Sequence, residues 1–87
     1  MIFEVRGTIA DIDETTSDEP CHPGTALIVE AGDAFSRVIV PHPVLGDRLT
    51  LLCVGRPVEI AGEVAIASYD RRVHHVASKL KLRGTAN

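Results

Sequence analysis

Apolar and polar residues alternate through the opening segment MIFEVRGTIADID. Phe3, Val5, Gly7 and Ile9 fall on one side, and Glu4, Arg6, Thr8 and Ala10 on the other. A period of two predicts a long strand. Gly7 sits where such a strand would bend or bulge, and beyond it the apolar phase slips by one residue to Ile12, as a bulge would cause. TALIVEA and AFSRVIV predict a second and a third strand. The Gly32–Asp33 pair between them predicts a short hairpin turn. In the second strand both phases are apolar, Leu27 and Val29 on one side and Ala26 and Ile28 on the other, so its outer face is expected to be covered. Val38 and Val40 point inward from the third strand, leaving Phe35, Arg37 and Ile39 outward.

The period then changes. Leu45, Leu49 and Leu52 recur at i, i+4 and i+7, a one-sided apolar stripe. With Pro43 ahead of it and Gly55 and Pro57 behind, this predicts one short helix over residues 44–54, stopped at Gly55. PVEIAGEVAIA predicts a fourth strand, with Val58, Ile60, Gly62 and Val64 on one face. SYDRR predicts a turn, and VHHVASKLKLR a fifth strand. Its faces are His74, Val76, Ser78, Leu80 and Leu82 against His75, Ala77, Lys79, Lys81 and Arg83. Residues 14–24, ETTSDEPCHPG, are rich in turn formers and predict a mobile, solvated loop.

Five short strands with one helix between the third and fourth predict an all-β, five-stranded Greek-key barrel of the OB type. The glycines in the first and fourth strands let the sheet curl enough to close. The whole chain of 87 residues suits one domain, expected over 1–84, with a frayed tail at 85–87.

The segments VRGTIADID, VGRPVEIAGEV and VHHVASKLKL carry a family resemblance. The chain resembles the nucleic-acid-binding OB-fold domains of the replication protein A and tRNA-anticodon-binding type. Those domains share an opening V-x-G-x-I, then G-x-x-V-x-I-x-G-x-V after the helix, and a last strand of the form V-x-A-x-x-I/L. The likeness spans nearly the whole chain. Its motifs are structural glycines and core positions, so the resemblance implies the fold more sharply than it implies a ligand.

Charge divides along the chain. The formal net charge is −3, which argues against a strongly basic nucleic-acid binder. Residues 1–20 hold six acids against Arg6 alone, whereas residues 71–87 hold five bases and no acid. Arg71 and Arg72 fall in the turn between strands four and five, beside Tyr69. In OB-folds that turn, the loop between strands one and two, and the face of strands two and three form the ligand groove. Phe35, Arg37, Tyr69, Arg71 and Arg72 would give such a groove two stacking rings and three guanidinium forks suited to phosphate. Lys79 and Lys81 would extend it as an electrostatic track, or serve only as a solvent face that pairs with Glu4 and Asp11. The expected function is single-stranded nucleic-acid binding, DNA rather than RNA, with little sequence preference. The alternative is a protein-interaction module or accessory subunit, as a homodimer or with another partner.

Other chemistries find less support. No nucleophile–base–orienter set and no phosphate-binding glycine loop is present, so no enzyme and no cofactor is expected. Clustered carboxylates in DIDETTSDEP lack the spacing of a calcium loop. Cys21, His22, His42, Cys53, His74 and His75 lack zinc spacing, so no metal is expected. His74 and His75 point to opposite faces. Cys21 and Cys53 are expected to be free thiols. With no apolar run of membrane length and no signal-like N-terminus, a cytoplasmic location is expected.

Overall fold

All five period-two segments form strands. The computed structural model describes residues 1–66 and 71–84. β1 spans Ile2–Glu14, β2 Thr25–Ala31, β3 Ala34–Val40, β4 Pro57–Ile66 and β5 Val73–Leu82. They close into one barrel in the order β1-β2-β3-β5-β4, with β4 returning to β1. Every neighbouring pair is antiparallel except β3 and β5, which run parallel and pair only at Val38–His75 and Ile39–Val76. No helix is long and apolar enough to cross a membrane.

The inward phases meet in a core of Ile9, Leu27, Val29, Val38, Val40, Val58, Ile60, Ala77 and Leu80, closed at one end by Leu45 and Leu52. Burying one such aliphatic side chain stabilises the fold by about 1.5–3 kcal/mol. The second apolar phase of β2 is covered in part, with Ile28 half-buried. Ala26 is fully buried within the single chain, and so is its β3 partner Ile39. Ile39 therefore departs from its outward neighbours Phe35 and Arg37 in being shielded from water.

Closure of the barrel rests on two irregularities. In β1 the register against β2 shifts between Ile9 and Asp11, so the extra residue is Ala10 rather than Gly7. Gly7 instead gives β2 room, since a Cβ there would stand 2.1 Å from the Glu30 carbonyl oxygen. In β4, Ala61 pairs with Lys79 but Gly62 pairs with Ala77, which leaves Ser78 of β5 bulged out. The bulge reverses the side-chain phase of β5. That is why Ala77 and Leu80 both join the core although strict alternation places them on opposite faces.

The predicted helix over 44–54 is corrected. α1 is a single turn, His42–Leu45, followed by a 3-10 turn at Arg48–Leu51. Gly46, at φ +61°, ends α1 nine residues before the expected stop at Gly55. The Leu45–Leu49–Leu52 stripe is broken with it: Leu45 and Leu52 are buried, while Leu49 is exposed. Arg48 completes the break. Its guanidinium donates to the carbonyls of Val44 (2.6 Å) and Leu45 (3.2 Å), which a continuing helix would have satisfied with its own amides.

Candidate nucleic-acid interface

A cleft of about 430 Å³ opens on the outer face of the barrel, lined by Asp13, Thr16, Glu19, Arg37, Arg72, Val73 and His74. Its floor comes from β3 and the start of β5. One wall is the β1–β2 loop, and the other is the approach to β5. This is where an OB barrel takes its ligand.

The β1–β2 loop is largely exposed, as expected of a solvated segment, and carries hydrogen bonds of its own. The Thr15 amide donates to the Gly24 carbonyl (3.0 Å) and closes the loop's base. His22 donates from Nδ1 to the Thr15 carbonyl (2.9 Å). At the tip, the Thr16 amide donates to Glu19 Oε1 (2.8 Å), the Glu19 amide donates back to the Thr16 carbonyl (3.0 Å), and the Thr16 hydroxyl donates to Asp18. Threonine at one position and glutamate three residues on satisfy each other's groups, much as in a capping box.

This loop is bound to the cleft through Arg37. The Arg37 fork holds Glu19 in a bidentate pair, Nε to Oε2 at 3.0 Å and Nη2 to Oε1 at 2.8 Å. Nη1 binds Asp13 Oδ2 at 2.8 Å, and Nη2 also donates to the Glu14 carbonyl at 3.1 Å. The bond from Arg37, aided by partner amides, sets the Glu19 carboxyl at a pKa of about 2 and draws Asp13 below its ordinary value. The two carboxylates in turn raise Arg37 beyond its already high value. Across the cleft, Arg72 meets Asp18 at 3.1 Å. The Thr16 hydroxyl, more than Arg72, holds the Asp18 carboxyl below the usual carboxylate range.

The expected site residues fall into two groups. Arg37 and Arg72 both line the cleft, and Phe35 lies two residues before Arg37 on the same face, 63% exposed. Arg71 is exposed beside Arg72, at φ +56°. Tyr69 lies outside the described residues. Lys79 and Lys81 are not brought to the cleft. They line a second depression with Pro43, Val44, Arg48, Ser78 and Leu80, near α1. Arg83 pairs instead with Glu59 (3.1 Å), which also takes Arg6 (2.7 Å). Among the described residues no group of three or more metal-ligating side chains stands together, and Cys21 and Cys53 are free thiols.

Sequence reasoning placed the acidic loop near the groove but did not assign Asp13, Asp18 and Glu19 to Arg37 and Arg72. The Thr16–Glu19 spacing was the available signal. His74 was also missed. It is buried in the cleft floor, and its Nε2 has no hydrogen-bond partner.

No family model and no curated protein sequence matches the chain. Solved structures do. A chain of the S. pombe Stn1–Ten1 complex superimposes with a TM-score of 0.69 at 19% identity, covering 94% of this chain and 57% of that one. Asparaginyl-tRNA synthetase from Pyrococcus horikoshii superimposes with a TM-score of 0.71 at 13% identity, covering 94% of this chain and 19% of the enzyme. The barrel is an OB-fold. At these identities the likeness speaks for architecture. This OB chain spans just over half of the S. pombe chain and about a fifth of the synthetase.

Proposed function

We propose that this OB barrel is a binding module without catalytic chemistry, and that its ligand is single-stranded nucleic acid held across the cleft. The observation that carries the reading is the presence of Arg37 and Arg72 in one cleft, with the exposed ring of Phe35 on the same strand as Arg37. Guanidinium groups supply phosphate contacts, and an exposed ring supplies a stacking surface that accepts any base.

Affinity should be modest. The Arg37 fork is filled by Glu19 and Asp13, and Arg72 is paired with Asp18 through a more exposed contact, so the strand meets Arg71 and Arg72 first. Each phosphate neutralised on a single strand contributes about −0.7 to the slope of log K against log salt. Two arginines therefore imply a slope of about −1.4. The test is a salt titration of a fluorescent oligonucleotide. Binding at low salt that weakens in an Arg71→Ala/Arg72→Ala variant supports the reading. No binding at low salt, or binding indifferent to that substitution, overturns it.

A second reading, an OB subunit of a larger assembly, is favoured by a separate observation. Met1, Ile2, Ile66 and Val73 are all more than half exposed. They gather at one end of the barrel, where the Val64 amide bonds the Met1 carbonyl and Ile66 pairs with Val73. Clustered exposed aliphatics suit a protein contact. Pairing through β2 is disfavoured, because β1 and β3 flank it on both sides and Ala26 is already buried. Size-exclusion chromatography with light scattering addresses the homodimer: a monomer at micromolar concentration removes it and leaves a different partner.

A further inference from the structure

We infer that the β1–β2 loop is an internal competitor for the cleft, with Glu19 and Asp18 occupying the arginines that a strand's phosphates would take. This deepens the nucleic-acid reading above and rests on it. The contact that Glu19 makes is the one a phosphodiester would make. The two Glu19 oxygens lie 2.8 Å and 3.0 Å from Nη2 and Nε, the bidentate pairing by which arginine binds carboxylate and phosphate alike.

The arrangement is more specific than a stray surface pair. Consecutive acids of one loop reach two separate parts of the cleft: Glu19 takes Arg37 on the β3 floor, and Asp18 takes Arg72 on the approach to β5, 54 residues further along the chain. The loop presents both carboxylates together because Thr16 holds each of them. Its amide donates to Glu19 at 2.8 Å, and its single hydroxyl proton is shared between Asp18 and, at 3.1 Å, Glu19. Among the cleft-lining residues, Asp13 and Glu19 balance Arg37 and Arg72 in formal charge. A cleft so neutralised attracts polyanions weakly, and displacing the loop takes Glu19 from Arg37 and Asp18 from Arg72 while Asp13 of β1 stays on Arg37.

The two contacts differ in strength, which sets an order of release. The Arg72–Asp18 pair is well exposed, with side chains 64% and 44% accessible. Pairs of that kind are worth little and exchange readily. Glu19 is held by the bidentate fork, and its side chain is only 9% accessible. A strand therefore displaces Asp18 first and Glu19 second. The loop's threonine contacts are local and can survive its movement as a unit.

The test compares the wild-type chain with an Asp18→Asn/Glu19→Gln variant, which keeps the loop's size and one acceptor oxygen on each side chain but removes its charge. Fluorescent oligothymidylate is titrated into each over a range of salt. The expected result is binding at least about tenfold tighter at low salt, since one exposed pair and one stronger, buried pair are removed. The salt slope should steepen by about 0.7, the share of Arg37, because Arg72 already counts in the wild-type slope. Adding Arg37→Ala to the variant should erase the gain. If the wild type binds and the variant binds no more tightly with an unchanged slope, the competitor is overturned while the nucleic-acid reading stands. If neither chain binds, both fall together.

Discussion

Arg48 donates from Nη1 to the carbonyl of Leu80, 2.7 Å away across the barrel wall and 32 residues along the chain. The other nitrogens of the same guanidinium bind Val44 and Leu45 in α1. One side chain thus joins the end of the helical turn to the edge of β5. That edge needs a partner, because β3 pairs with β5 only as far as Val76 and α1 follows where β3 ends.

Removing this arginine should therefore cost more than a surface substitution. Arg48→Met keeps much of the apolar stem and deletes three charge-assisted bonds. Bonds to charged groups are worth about 1.5–3 kcal/mol each when lost singly, and loss of the set should cost about 2–4 kcal/mol because water replaces part of it. Arg48→Lys should recover less than half, since an ammonium has no planar fork. Urea unfolding monitored by circular dichroism reads both. Arg6→Ala, at an exposed pair with Glu59, should stay within about 0.5 kcal/mol. Equal effects for Arg48 and Arg6 would contradict the linking role.

Gly62 should tolerate no side chain. A Cβ there would stand 2.0 Å from the Val76 carbonyl oxygen and 2.8 Å from Ala77 Cα, both backbone atoms of β5. The Phe3 ring already covers the site from β1, with Cε1 2.9 Å from that position. The strands must move apart to admit even a methyl group, at the bulge that closes the barrel. Gly62→Ala should lower stability by about 2 kcal/mol or more, and Gly62→Val by more again. Neither touches the cleft, so the fraction that folds should bind as the wild type does. Unchanged melting temperatures would contradict the close approach.

Glu19 gives the fold an acid limb. Its folded-state pKa of about 2 lies below the ordinary 4.5, so the unfolded chain binds the proton more readily. The stabilisation is fully present above pH 4.5 and is lost as pH falls from 4.5 towards 2. The whole shift corresponds to roughly 3 kcal/mol at most. Melting temperature against pH should fall through that window in the wild type and fall less steeply in Glu19→Gln. Asp13, also drawn down by Arg37, keeps part of the slope. Parallel curves for the two proteins would show that the Arg37 pair contributes nothing to folding.

The strands and the barrel were legible because alternation is a local signal. TALIVEA and AFSRVIV became β2 and β3 residue for residue. Gly62 showed its purpose too, since a glycine in an otherwise strong strand marks a bulge or a close approach. The helix was misjudged because three leucines at helical spacing outweighed Gly46, whose positive φ cannot be read from spacing. The site was half legible. Arg37 and Phe35 were placed on the outer face by alternation alone, and Arg72 by the turn. What alternation cannot carry is a contact between distant segments. Glu19 reaches Arg37 over 18 residues and Asp18 reaches Arg72 over 54, and these pairings turn a set of free cations into a balanced cleft.

Phe35 and the Lys79–Lys81 pair decide which surface the strand follows. Phe35 is exposed on the cleft's own strand, whereas the lysines line a separate depression beside α1. Stacking one base on an aromatic ring is worth about 1–3 kcal/mol, so Phe35→Ala should weaken oligonucleotide binding by about five- to a hundredfold. Its exposure means the same change should alter stability by about 0.5 kcal/mol or less. For a strand confined to the cleft, Lys79→Ala/Lys81→Ala should leave both affinity and salt slope unchanged. For a strand that continues past the cleft to α1, the double substitution should flatten the slope by about 1.4, the share of two phosphates. An oligonucleotide titration on the three proteins at two salt concentrations separates these outcomes. Indifference to Phe35→Ala combined with sensitivity to the lysines would move the interface out of the cleft and onto the face beside α1.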